Sequence, residues 1–153
     1  MLYTENLEEL ILKRHIKNNA SDLLILGGFI GLSPIERLSQ ENIRSKIIYG
    51  CFAKHNLTKE VNEKYKQISS SYNVNVFYKK TYNHSKIYCW HNNGIVIEII
   101  SGSANFSANG LKNDFQEVLF DIDSNDYSQI WEYIKVALQD SESCLSYNYD
   151  ESS

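Results

Sequence analysis

Two rhythms of apolar residues run along the chain. Within Asn6 to Asn18, Leu7, Leu10 and Ile11 recur at three and four, which predicts a helix with one buried face. Leu23 to Leu26 is wholly apolar and ends in Gly-Gly, the pattern of a buried strand, and Gly27-Gly28-Phe29-Ile30-Gly31 opens a flexible loop. Ser33-Pro34 predicts the start of a short helix, with a capping hydroxyl and a proline in the first turn. Ile47 to Phe52 reads as a second core strand, and Thr58 caps a helix from about Lys59 to Ser70. In Asn73 to Tyr78 the alternation of Val74, Val76 and Tyr78 predicts a third strand. Asn93-Gly94 between two apolar runs predicts a hairpin whose returning strand, Ile95 to Ile100, is mostly β-branched. Another strand-like run spans Phe115 to Asp123. Ser124 then caps a helix from about Asn125 to Leu138, with Tyr127, Ile130, Trp131, Ile134 and Leu138 on one face.

Strands and helices alternate through the first half, which implies βαβ units; the hairpin adds an antiparallel pair. The expected fold is α/β: a mixed, mostly parallel sheet flanked by helices on both faces. One domain over residues 1–140 follows, with 141–153, LQDSESCLSYNYDESS in context, read as an acidic, Ser-rich tail or linker. There is no internal repeat.

Composition narrows the function classes. At 153 residues and 42% hydrophobic, the chain can bury a sizeable core, and no apolar run approaches the length of a membrane span. The amphipathic, early-acidic N-terminus is unlike a secretory signal. Cys51, Cys89 and Cys144 show no metal spacing and fit a reducing cytoplasm. The net charge of −4 argues against a general polyanion binder, so any nucleic-acid chemistry needs a focused basic groove or a second domain.

The chemistry concentrates in HSKIYCWHNNGIVIEIISGSANFSANGLKNDFQE, residues 84–117. His84 and Lys86 are two apart at the opening of a strand, which places imidazole and ammonium on one face. Gly102-Ser103-Ala104-Asn105 follows a strand's C-terminal end with a hydroxyl, a carboxamide and backbone N–H groups, and Glu117 lies on the next strand-like run. Cation, imidazole, neutral donors and one carboxylate suit a phosphodiester. Phosphoryl oxygens need charge and donors, an imidazole can attack phosphorus or move protons, and a carboxylate can fix its tautomer. The set requires no cofactor and no metal. His91, beside Asn92-Asn93, reads as a turn residue, and His15 and His55 have no evident partner. Lys79 and Lys80, with Tyr78 and Tyr82, are candidates to grip a phosphate backbone and stack bases.

His-x-Lys, then Gly-Ser-x-Asn, then a Glu resembles the signature of the phospholipase D superfamily, and more narrowly its nuclease branch. That branch includes restriction endonucleases with a catalytic domain of this type. The family motif carries an Asp a few residues after the Lys; here His91 sits where it is expected, and the gap from His84 to Gly102 is about four residues longer than in the common motif. The resemblance implies a phospholipase D-like α/β sandwich and a metal-independent endonuclease acting on DNA. It implies a homodimer whose composite site unites the His-x-Lys segments of two chains, because this chain has one such segment. His84 of one chain would form a phosphohistidine, and His84 of the other would protonate the leaving oxygen. Lys86, Ser103 and Asn105 would hold non-bridging oxygens, and Glu117 would orient an imidazole. Sequence-specific cleavage would need a separate DNA-recognition domain in a bacterial or archaeal cytoplasm. Two alternatives remain open: a phospholipase or other phosphodiesterase of the same superfamily, disfavoured by the absence of a basic amphipathic helix, and a non-catalytic DNA-binding or dimerisation module.

Overall fold

The computed structural model describes residues 1–112 and 116–149. In it one eight-stranded sheet carries helices on both faces. The strands, in chain order, are β1 (Leu2–Tyr3), β2 (Asp22–Leu26), β3 (Arg44–Tyr49), β4 (Val74–Lys79), β5 (Ile87–Asn92), β6 (Ile95–Gly102), β7 (Leu119–Asp121) and β8 (Ser141–Ser143). Their order across the sheet is β1-β7-β6-β5-β2-β3-β4-β8. Only β2–β3 and β3–β4 are parallel; every other neighbouring pair is antiparallel. The sheet is thus mixed and mostly antiparallel, a correction to the expected parallel majority. The βαβ units give just three strands, and the hairpin, the return through β7 and two short edge strands supply the rest.

Helix α1 (Leu7–Asn18), α2 (Leu32–Leu38) and α3 (Lys59–Ser71) cover one face, and the single turn α4 (Ala108–Leu111) follows β6. On the face of α1 to α3, Leu7, Ile11, Ile35, Leu38 and Tyr65 pack on Leu23, Ile25, Ile47, Val76, Tyr78 and Trp90. On the other face, α5 (Tyr127–Gln139) lays Ile134 and Ala137, with Trp131 and Leu138 beside them, over Leu24, Leu26, Ile48, Cys89 and Ile99. The alternation along β2 and β3 therefore sends each strand's side chains into two separate apolar layers.

Several boundaries shift for local reasons. The Thr58 hydroxyl accepts from the Val61 N–H and caps α3 as expected. Ser33, by contrast, lies inside the first turn of α2, which follows Gly31 with no side-chain cap. Asp123, not Ser124, supplies the capping oxygen before α5: its carboxylate accepts from the Asn125 N–H at 2.8 Å and opens a 3-10 turn, Ser124–Asp126. Strand β3 begins with the polar Arg44, Ser45 and Lys46 and ends before Cys51. The expected strand over Phe115 to Asp123 reduces to β7; Phe115 itself lies outside the described residues.

The stretch after residue 140 is not an unpatterned tail through 149. Strand β8 pairs with β4, and Cys144 and Tyr147 are buried. The Tyr147 ring stands edge-on to Phe52 at 5.2 Å and Tyr78 at 5.3 Å. Two apolar residues three apart in a polar stretch make too short a pattern to register as periodicity.

Candidate active site

His84 and Lys86 lie in the extended connector between β4 and β5, just ahead of the strand that they were expected to open. β2 runs parallel to β3 on one side and antiparallel to β5 on the other, so the connector passes over the C-terminal ends of β2 and β3. Gly50, just after β3, lets it sit close: a Cβ there would lie 2.2 Å from the Asn83 carbonyl oxygen, while the Asn83 N–H donates to the Gly50 carbonyl at 2.9 Å. From the far side, the Tyr133 hydroxyl of α5 accepts from Asn83 Nδ2 at 2.9 Å and meets Ser85 Oγ at 3.0 Å.

Lys86 Nζ lies 2.7 Å from His84 Nδ1 and donates to the His84 carbonyl oxygen at 2.8 Å. The two side chains therefore form one unit in which the ammonium faces the imidazole. Ser101 on β6 donates its hydroxyl to the Lys86 carbonyl at 2.7 Å and fixes that residue's backbone. Partial burial pushes the Lys86 ammonium below the usual lysine range, with Cys51 and the Glu117 carboxylate pulling the other way. Glu117 thus lies within electrostatic reach of Lys86, although it occupies a loop before β7, not a strand.

Asn105 reaches the same rim from the loop after β6. Its Oδ1 accepts from the Phe29 N–H at 3.0 Å, which fixes the amide orientation and leaves Nδ2 as the outward donor. Gly28 makes this approach possible. It has φ +64°, and a Cβ there would lie 2.6 Å from Asn105 Oδ1, 3.3 Å from the His84 carbonyl and 3.3 Å from Lys86 Cε. The loop after β2 is thus packed beneath the site. Further bonds fix the Asn105 loop: the Tyr88 hydroxyl donates to the Ala104 carbonyl at 2.8 Å, and the Gly31 N–H to the Phe106 carbonyl at 2.9 Å. Ser103 is exposed; its Oγ accepts from the Val118 N–H at 3.0 Å, so its hydroxyl braces the loop ahead of β7.

Rings surround the imidazole. Phe29 meets His84 edge-on at 6.2 Å, Tyr82 lies near-parallel to it at 6.2 Å, and His55 stands 5.0 Å from Phe29. The Lys54 ammonium sits 4.6 Å over the Tyr82 ring. Among the described residues, no group of three His, Cys, Asp or Glu side chains is placed to hold a metal ion.

A scan against protein families matches residues 5–151 to the family described as the NgoFVII restriction endonuclease N-terminal PLD domain. The chain belongs to this family. Among solved structures, NucT from Helicobacter pylori superimposes with a TM-score of 0.61 at 19% identity, covering 92% of this chain and 96% of that one. Nuc from Salmonella typhimurium, a phospholipase D family member, gives 0.61 at 14% identity, covering 88% of each. Polyphosphate kinase from Porphyromonas gingivalis gives 0.53 at 17% identity over 88% of this chain and 20% of its own. These likenesses establish a phospholipase D-like fold. A search of curated proteins gives no match.

For this PLD domain, the structure brings His84, Lys86 and Asn105 together, with Glu117 in electrostatic range of Lys86. Lys79 is a correction. Its side chain is buried, and its ammonium is held by Asp140 and by the Thr81 hydroxyl at 2.8 Å, so it is not presented to a ligand. The Asp140 carboxyl is pulled down to about 2, mainly by the Lys79 bond. Lys80, next in sequence, is exposed. His15 is not isolated either: its Nε2 lies 3.9 Å from Glu41. His55 belongs to the aromatic surround of the site. Gly28, Phe29, Lys54, Ser101 and Tyr133 were not singled out as site residues. Only Gly27-Gly28, a glycine pair after a buried strand, carried a signal, that of backbone approaching closely to something.

Proposed function

We propose that this chain is a DNA endonuclease of the phospholipase D superfamily that cleaves through a phosphohistidine at a site shared by two copies. The observation that carries the reading is the His84–Lys86 unit at 2.7 Å, joined through Gly28 to the outward amide of Asn105. The family match to a restriction endonuclease domain supports DNA as the substrate.

With the Lys86 ammonium donating to Nδ1, the neutral imidazole carries its proton on Nε2. A phosphodiester oxygen bound by Lys86 draws the ammonium away and frees the ring to react. In the first step the imidazole lone pair of one His84 forms an N–P bond while the P–O bond to the leaving oxygen breaks. That oxygen takes a proton from the imidazolium of the second copy's His84. In the second step that same imidazole removes a proton from water, the hydroxide forms the new P–O bond, and the N–P bond breaks. Lys86, Asn105 Nδ2 and the Ser103 hydroxyl hold the non-bridging oxygens, where charge grows in the transition state. Glu117 orients an imidazole. Exposed Lys54 and Lys80, with Tyr82 and Phe29 beside the imidazole, offer the basic and aromatic contacts that a nucleic-acid strand needs, despite the net charge of −4. Reading of a specific DNA sequence belongs to a separate domain.

The test is nicking of supercoiled plasmid by wild type and His84→Ala with EDTA throughout, alongside hydrolysis of phosphatidylcholine vesicles. Nicking by wild type alone is expected. Cleavage that appears only when magnesium replaces EDTA, or that survives in His84→Ala, overturns the mechanism, and lipid hydrolysis without nicking overturns the substrate. Sedimentation at increasing concentration tests the dimer.

A further inference from the structure

A cavity of about 500 Å³ lies at the opposite end of the sheet from His84, on the face covered by α5. That face has one helix where the other has three. The N-terminal ends of β2, β3 and β4 consequently run past α5 uncovered, and Asp22, Arg44, Lys46 and Asn75 point into the space. His91, Asn93 and Gly94 of the hairpin close one side; Trp131, Lys135 and Leu138 of α5 close another, with Tyr72 at the rim.

The lining is basic in an acidic protein. Arg44, Lys46 and Lys135 face one acid, Asp22. Asp22 is already engaged: its carboxylate accepts from the Ser21 hydroxyl at 2.5 Å, from Arg44 at 3.1 Å and from the Asn93 N–H at 3.2 Å. Lys135 pairs with Glu132 outside the cavity at 2.8 Å. His91 is set as a donor. Its Nδ1 accepts from the Gly94 N–H at 2.9 Å, so the neutral ring carries its proton on Nε2. Burial holds the ring below the usual histidine range, with Lys46 and Arg44 adding to the effect against the pull of Asp22. The wall is also aromatic. The His91 and Trp131 rings are 4.8 Å apart, and half of the Tyr72 surface is exposed.

Cations, a fixed N–H donor and flat ring faces in a cavity of this volume match a phosphate attached to a planar base. We propose that this cavity is a nucleotide-binding site, distinct from the phosphodiesterase site. Lys46 and Arg44 hold the phosphate, and Trp131 with Tyr72 packs against the base. The nucleotide unit is either free in solution or one link of a nucleic-acid strand. The inference is independent of the cleavage chemistry, because none of these residues belongs to the His84 site.

The chain has two tryptophans, and Trp90 is fully buried on the other face, so ligand-dependent changes in emission report Trp131. The experiment titrates the His84→Ala protein, which leaves a strand intact, with deoxyadenosine monophosphate, a short single-stranded oligonucleotide and inorganic phosphate. Binding is followed by calorimetry and tryptophan emission. Saturable binding of the mononucleotide that changes emission and weakens at least tenfold in Lys46→Ala is expected. Binding of the oligonucleotide alone, with the same Lys46 dependence, assigns the site to a nucleic-acid strand. No binding at millimolar ligand, binding indifferent to both Lys46→Ala and Trp131→Phe, or inorganic phosphate binding as tightly as the nucleotide overturns the proposal. Cleavage of a short oligonucleotide by Lys46→Ala in an otherwise wild-type chain is expected to be unchanged.

Discussion

Replacing Gly28 by alanine tests whether the loop after β2 is part of the site or only beneath it. At φ +64° an alanine sits in the left-handed region, which costs about 1–2 kcal/mol for a residue with a Cβ. The added methyl would lie 2.6 Å from Asn105 Oδ1, where ordinary contacts begin at 3.4 Å. Asn105 must therefore retreat by several tenths of an ångström, and its bond from the Phe29 N–H lengthens or breaks, a loss of about 1 kcal/mol. The two effects together predict roughly 2–3 kcal/mol lower stability in urea unfolding. The displaced amide is also the outward donor, and a misplacement approaching an ångström lowers catalysis by up to about a hundredfold. The assay pairs urea denaturation with plasmid nicking at a temperature where both proteins are folded. A variant as stable and as active as wild type refutes the argument. A destabilised variant with full nicking rate confines Gly28 to a folding role and removes Asn105 from the reaction.

Four further outcomes follow from other contacts. Tyr133→Phe removes the hydroxyl that holds Asn83 and Ser85; losing about 1 kcal/mol of positioning lowers nicking roughly fivefold, with little change in melting temperature. Tyr147→Ala empties a buried ring site against Phe52 and Tyr78 and lowers stability by roughly 3 kcal/mol in denaturant titration; an unchanged midpoint would restore the view of this stretch as a tail. Burial raises the Glu98 carboxyl, but the bonds from Arg14 and Asn18 hold it below its ordinary value of 4.5 in the folded state. Its stabilisation is then present above pH 4.5 and lost as pH falls through the lower folded value, so Glu98→Gln flattens the acid side of a melting-temperature profile. Lys86, lowered from 10.5 by partial burial, places the alkaline fall in nicking rate below the usual lysine range, which a pH–rate profile to pH 10 checks.

The sequence made the strands and helices that carry long periodic runs readable, and α1, α3, β4, the hairpin and α5 lie close to where the pattern puts them. It could not show which strands become neighbours. That depends on how connections cross the sheet, and the parallel majority was an extrapolation from the βαβ half. The His-x-Lys and Gly-Ser-x-Asn residues fold to one rim, with Gly28 against both, because each pair sits on a short, locally determined segment. The burial of Lys79 is not legible from the sequence because its partner, Asp140, is distant along the chain. Tyr133 and Ser101 went unnoticed for the same reason: a tyrosine on a helix and a serine in a strand acquire meaning only when the fold sets them against the connector at residues 83–86.

Both borders of the sheet are made by short strands, β1 with two residues and β8 with three. A border of that length presents few free N–H and C=O groups to a neighbouring chain, and β8 adds the exposed charge of Glu142. At these two borders edge-to-edge growth, the usual route by which sheets recruit copies into aggregates, therefore has little ladder to extend. For the proposed pairing of two copies, these two borders offer little, and a misfit between copies has no ladder there along which to propagate.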